Sequence, residues 1–166
     1  MQEKEALIGI YDENKNLISI KQRSQVDKKQ DILKTVVLIL FNNKDEVFMI
    51  KTKDTAWKKE KWGGSCATLI RHNEKPEQAA KRVLKRELNL EIPFELIKEK
   101  FYNWGGIKRH LSIFKAKTEE EPQPNTNDFY ETKWHSIEKA QELIENNQCM
   151  PTFEEAFMLA KNQLNN

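Results

Sequence analysis

Few residues in this chain punctuate it or cross-link it. Of 166 residues, five are glycine, five proline and two cysteine. Two thiols, Cys66 and Cys149, are too few for the disulfide framework of a small secreted domain, and free thiols suit a reducing cytosol. So few Gly and Pro leave little room for linkers, and there is no internal repeat, so residues 1–166 read as one domain with an N-terminal hairpin (6–23) and a core (32–160). Three histidines without ligand spacing make no zinc pattern. No apolar run reaches the length of a membrane span, and the start MQEKEALIGI carries charge where a signal peptide has its apolar segment. Cytoplasmic residence without a membrane partner is the expectation. A net charge of +2, from 28 basic and 26 acidic residues, supplies no field to recruit nucleic acid.

What is present alternates strand and turn patterns. ALIGIY (6–11) and LISIKQR (17–23) read as strands around the polar turn Asp12–Asn16. The apolar run VVLILF (36–41) predicts a strand buried on both faces. Asn42-Asn43-Lys44-Asp45 then turns the chain into EVFMIK. Residues 52–61, polar and basic with Trp57 among them, read as a loop over a site. Strands follow at 95–103 and 108–117, joined at Trp104-Gly105-Gly106, and again at 129–134. Residues 118–127, with Pro122, Pro124 and three Glu, read as a surface loop. Helices are expected at 136–147 and 152–164, the second opening on the capping-box pattern Thr152-Phe-Glu-Glu155.

The stretch Trp62–Leu90, WGGSCATLIRHNEKPEQAAKRVLKRELNL, is the most informative. It sets Glu74 ahead of an amphipathic helix, Arg82 eight positions on, and Glu87 near the helix end. Pro76 suits the first helical turn, and Ala80, Leu84 and Leu88 form a buried stripe. A loop carboxylate and helix carboxylates suit a hard cation such as Mg²⁺ against a diphosphate, because such ions take oxygen ligands.

This order of residues resembles the Nudix box, G-x5-E-x7-R-E-U-x-E-E-x-G-U with U aliphatic. Glu74, Arg82, Leu84, Glu87 and Leu90 match it. Thr68 and Asn89 stand where two Gly belong, and Val83 and Arg86 where two helix Glu belong. The hairpin DENKNLISIKQR, the buried strand ending Phe41-Asn42, Trp62 ahead of the box and Asp128-Phe-Tyr-Glu131-Thr-Lys-Trp134 resemble the branch holding isopentenyl-diphosphate isomerase and its hydrolase relatives. The resemblance implies an α/β fold, an α/β/α sandwich with a mixed β-sheet. It does not extend to the isomerase's chemistry. The positions of that enzyme's Cys, two His and two Glu fall at Ala67, Leu33, Leu69, Ile107 and Arg109, with Cys66 one residue out of register and so on the opposite strand face.

Three functions remain open. The first is hydrolysis of a nucleoside-diphosphate-linked or other diphosphate small molecule, with Mg²⁺ or Mn²⁺ held weakly by Glu74 and Glu87 and completed by the substrate's phosphates. Glu87 and either Asp128 or Glu131 would serve catalysis, Arg82 would orient, and Trp57 or Trp104 would stack on a base. The second is a non-catalytic binder in which Arg82 and Arg86, one turn apart, grip a diphosphate without metal. The third is a scaffold that has kept the fold alone. Ordinary roles compete for each residue: Arg82 as ion-pair partner of Glu74 or Glu87, Val83 as core, Cys66 as a small buried hydrophobe.

Overall fold

A computed structural model describes residues 5–52, 61–125 and 129–164. Trp57, Asp128 and most of the 52–61 loop lie outside them. β1 (Leu7–Tyr11) and β2 (Leu17–Gln22) pair as an antiparallel hairpin that forms a sheet of its own. Ile8 and Ile10 turn inward onto Leu33 and Leu69, which fixes the hairpin to the rest of the chain. One 3-10 turn, Arg23–Gln25, opens the connection to β3.

β3 (Leu33–Asn42) is the axis of the main sheet. Its six-residue apolar run is buried throughout, and successive residues serve two different cores. Val36, Leu38 and Leu40 face one side with Ala79, Ala80, Val83, Leu84 and Leu88. Val37, Ile39 and Phe41 face the other with Ala140, Phe153, Ala156 and Phe157. The two-residue period of a strand is therefore what divides the molecule into layers. β3 runs antiparallel to β4 (Val47–Thr52) and β6 (Cys66–Leu69), and parallel to β8 (Ile107–Thr118). The sheet is completed by β5 (Trp62–Gly63), β7 (Phe94–Trp104) and β9 (Phe129–His135).

α1 (Pro76–Val83), continued by a wider π-helical turn over Leu84–Leu88, covers one face. α2 (Ile137–Glu145) and α3 (Pro151–Asn162) cover the other. The mixed sheet between helical layers matches the expected architecture. The β7–β8 turn is Gly105-Gly106, both at positive φ (57° and 90°), as a two-residue hairpin loop requires. No helix among the described residues is long and apolar enough to cross a membrane.

Several boundaries shift by a residue or two from the sequence reading, and one of them changes a cap. α3 starts at Pro151, with Met150 at its N-cap and no side-chain cap, so the Thr152–Glu155 pattern does not cap it. Proline at the first helical position supplies a preset φ and has no amide to satisfy, which moves the start one residue earlier.

Candidate functional site

β3 and β4 meet at Phe41 and Val47 and then part, and β6 fills the space beside β3 from Thr35 to Leu38. Ser65 spans the fork. Its hydroxyl accepts from Leu40 N–H and donates to the Phe48 carbonyl, both at 2.7 Å. A Cβ on neighbouring Gly64 would lie 3.2 Å from Ile39 Cδ1 and 3.3 Å from Phe153, so the turn presses directly on the core. Neither residue was singled out from sequence; the signal was Gly-Gly-Ser at a strand entry, where close backbone approach excludes larger side chains.

From β6 the chain runs into the loop that carries Glu74. Arg82 donates from Nε and Nη2 to the two Glu74 carboxylate oxygens, at 2.9 and 3.0 Å, and Nη2 also donates to the Leu69 carbonyl at 3.1 Å. The backbone N–H of Arg71 adds a third donor to Glu74. Burial raises the Glu74 carboxyl pKa, but these donors outweigh it and leave it below the ordinary value. Glu74 and Arg82 thus bind the box loop to α1. Both are engaged in structure rather than held out towards a ligand, which departs from Glu74 as metal ligand and from a paired Arg82–Arg86 clamp.

Val83 is fully buried among Val36, Ala80 and Leu84. One turn on, Glu87 is 16% exposed and Arg86 36%, with a guanidinium nitrogen 4.0 Å from the Glu87 carboxylate. Both charges act on Cys66 of β6. Burial first, then Glu87, push that thiol well above its usual pKa, with Arg86 opposing, so Cys66 is an un-ionised wall residue. Ala67 is exposed. The helix closes at Asn89, at φ 54°, with Leu90 N–H donating to the Leu84 carbonyl. Asparagine tolerates the left-handed conformation best after glycine, which is why it serves at the box's final Gly position. Gln123 and Asn125 N–H then donate to the Leu88 and Glu87 carbonyls, so the 118–125 loop docks on this helix end instead of lying free.

A fold of this kind, with a loop-helix box on one face of a forked mixed sheet, has known relatives. A model of the NUDIX domain matches residues 32–157. The chain belongs to the Nudix family. No curated protein matches it. Among solved structures it is similar to DR0079 from Deinococcus radiodurans (TM-score 0.77, 14% identity, 92% of this chain and 98% of that one). It is also similar to the NUDIX domain of Shewanella oneidensis NrtR, solved with ADP ribose (TM-score 0.68, 17% identity, 85% and 95%). The E. coli dihydroneopterin triphosphate pyrophosphohydrolase gives a TM-score of 0.61 at 14% identity, over 76% and 94%.

Nudix hydrolases generally use divalent metals. The described donors of this member do not make such a site. Glu74 is held by Arg82, Val83 offers no oxygen, and Glu87 stands beside a fixed cation. Among the described residues no three His, Cys, Asp or Glu side chains converge as metal ligands.

The remaining candidates lie elsewhere. Glu131 pairs in register with Lys51, 3.7 Å away, and the Lys51 ammonium sits over the Trp62 ring. Trp62 belongs to the core under α2 and α3, so Glu131 is on the face opposite Glu87. Trp104 is half-exposed at the β7–β8 turn, opposite Ile107. Cys66 is level with Leu38 and Phe114, seven residues up β8, which places Trp104 roughly 23 Å along the sheet from Glu87's surroundings. Leu33 and Leu69 are packed under the N-terminal hairpin. Arg109 donates to the carbonyls of Asp31, Lys28 and Lys108, clamping the segment that joins the hairpin to β3.

Proposed function

We propose that this Nudix protein takes a nucleoside-diphosphate-type small molecule beside the last turn of α1, and that recognition outweighs turnover. The observation that carries the reading is the Arg86–Glu87 pair against buried Cys66. It presents one guanidinium and one carboxylate where the family's box has a cluster of acids. A guanidinium meets phosphate oxygens in a two-pronged geometry, which suits it to a diphosphate. The ADP ribose held by the NrtR domain, a nucleoside diphosphate joined to a sugar, supports this ligand class.

Slow hydrolysis is the second reading, favoured by Glu87, whose carboxylate remains partly open to solvent. It requires further oxygen ligands from the substrate's own phosphates, with Asp128, which lies outside the described residues, as a candidate base. Nucleotide sugars, dinucleotides, nucleoside triphosphates and prenyl diphosphates, each with and without Mg²⁺ or Mn²⁺, test both readings when thermal stabilisation and product release are measured together. Stabilisation by a diphosphate compound with turnover far below the ordinary range of about 1–10³ s⁻¹ is the expected result. Turnover within that range makes the protein a catalyst. No stabilisation by any compound leaves the scaffold. Interconversion of the isopentenyl diphosphate isomers is not expected, given Ala67, Leu33, Leu69 and Arg109 at that reaction's positions.

A further inference from the structure

We infer that the Arg86 guanidinium takes the place of the divalent ion, so that a diphosphate is held at this site without metal. The inference rests on the ligand class proposed above and adds the source of the counter-charge. Relative to the family's box, the helix loses a carboxylate at Val83 and exchanges one for a guanidinium at Arg86, a shift of three charges toward positive (one and two). The Arg82 charge is matched by Glu74 through two hydrogen bonds, and the Glu87 charge is balanced by Arg86 at 4.0 Å. With Lys81 and Lys85 against Glu77, the helix has no net negative charge to attract a dication, and the nearest cation, Arg86, repels one.

The position suits the exchange. A divalent ion here would be held by the Glu87 carboxylate and would supply positive charge to the ligand's phosphates. Arg86 lies beside the retained carboxylate, and more than a third of its side chain is open to solvent. Five N–H donors in a fixed plane exceed what Glu87 alone can accept, and their fork geometry matches phosphate oxygens. Val83 is fully buried and has no oxygen to offer an ion. Arginine does permanently what a bound ion does conditionally, since its charge depends on neither metal concentration nor chelators.

The test titrates inorganic pyrophosphate and ADP ribose calorimetrically against the wild type, Arg86→Glu, Arg86→Gln and Arg86→Lys, each in EDTA and in Mg²⁺. Water-proton relaxation measures Mn²⁺ binding in parallel. The wild type is expected to bind a probe equally, within about threefold, in both media. Arg86→Glu and Arg86→Gln should weaken binding in EDTA by about a hundredfold or more, and Arg86→Lys by less, because an ammonium keeps the charge but not the fork. Mg²⁺ should restore at least tenfold to Arg86→Glu and nothing to Arg86→Gln, and Mn²⁺ should bind Arg86→Glu at least tenfold more tightly than wild type. Arg86→Gln keeps the experiment decisive if Arg86→Glu does not fold. Wild-type binding that disappears in EDTA overturns the inference and leaves the diphosphate reading standing, as does Arg86→Gln binding as tightly as wild type in EDTA. Absence of wild-type binding to either probe in both media refutes the diphosphate reading itself.

Discussion

Replacing Glu74 with Gln separates a structural acid from a metal ligand. The carboxylate and the Arg82 guanidinium are 14% and 18% exposed, and three donors converge on the acid. Removing one partner of a buried ion pair costs about 3–5 kcal/mol, because the other charge is left without compensation. Glutamine keeps one acceptor and some solvent reaches the pair, so the cost falls to roughly 2–3 kcal/mol. For a chain of this length that lowers Tm by roughly 5–10 °C, taking about 2–4 °C per kcal/mol. Chemical denaturation of Glu74→Gln, Arg82→Met and the double variant yields the coupling energy, expected at about 1–2 kcal/mol. The Glu74 carboxyl is held below its ordinary 4.5 in the folded state. Its stabilisation is therefore complete above that pH and is lost as pH falls through the lower folded value. The gap between wild type and Glu74→Gln should close on acidification below pH 4.5 and stay constant above it. Mn²⁺ binding should not change. A coupling below about 0.5 kcal/mol, or a marked drop in Mn²⁺ affinity, would falsify the structural role.

Restoring the family's acid at Val83 should fail: Val83→Glu buries a carboxylate among Val36, Ala80 and Leu84, costing roughly 3 kcal/mol or more, read as a lowered Tm. Asn89→Ala should cost about 1 kcal/mol, since alanine resists the φ of 54°, whereas Asn89→Gly should be close to neutral; urea midpoints decide. Arg109→Ala leaves three backbone carbonyls without their donor and should cost roughly 2–4 kcal/mol, with limited proteolysis expected to cut first within residues 24–31.

The layered fold was legible because the apolar run of β3 admits one arrangement: alternate side chains need two cores, and two cores need helices on both sides. The α1 stripe was legible for the same reason at helical period. The sites of Glu131 and Arg109 were not. In FYETKWH apolar and polar residues mix on both faces, so the facing of Glu131 is set only by its pairing with Lys51 across the sheet. Arg109 entered the sequence reading only as the residue at an isomerase Glu position, and the carbonyls that hold it belong mostly to a segment about 80 residues away. The partners of Arg82 were foreseen as alternatives, and a two-oxygen match at 2.9 and 3.0 Å selects Glu74 between them.

The docking of the 121–125 segment on the end of α1 gives this apparent linker a phase. In extended chain, amides two residues apart point the same way. Gln123 and Asn125 supply the two donors, and Pro122 and Pro124 occupy the intervening positions, where a missing N–H leaves nothing unsatisfied. Inserting or deleting a single residue ahead of Gln123 would turn prolines towards the carbonyls of Leu88 and Glu87 and swing both donors outward. A segment that composition marks as free to vary in length is thereby locked in step with the residue that carries the box's last acid.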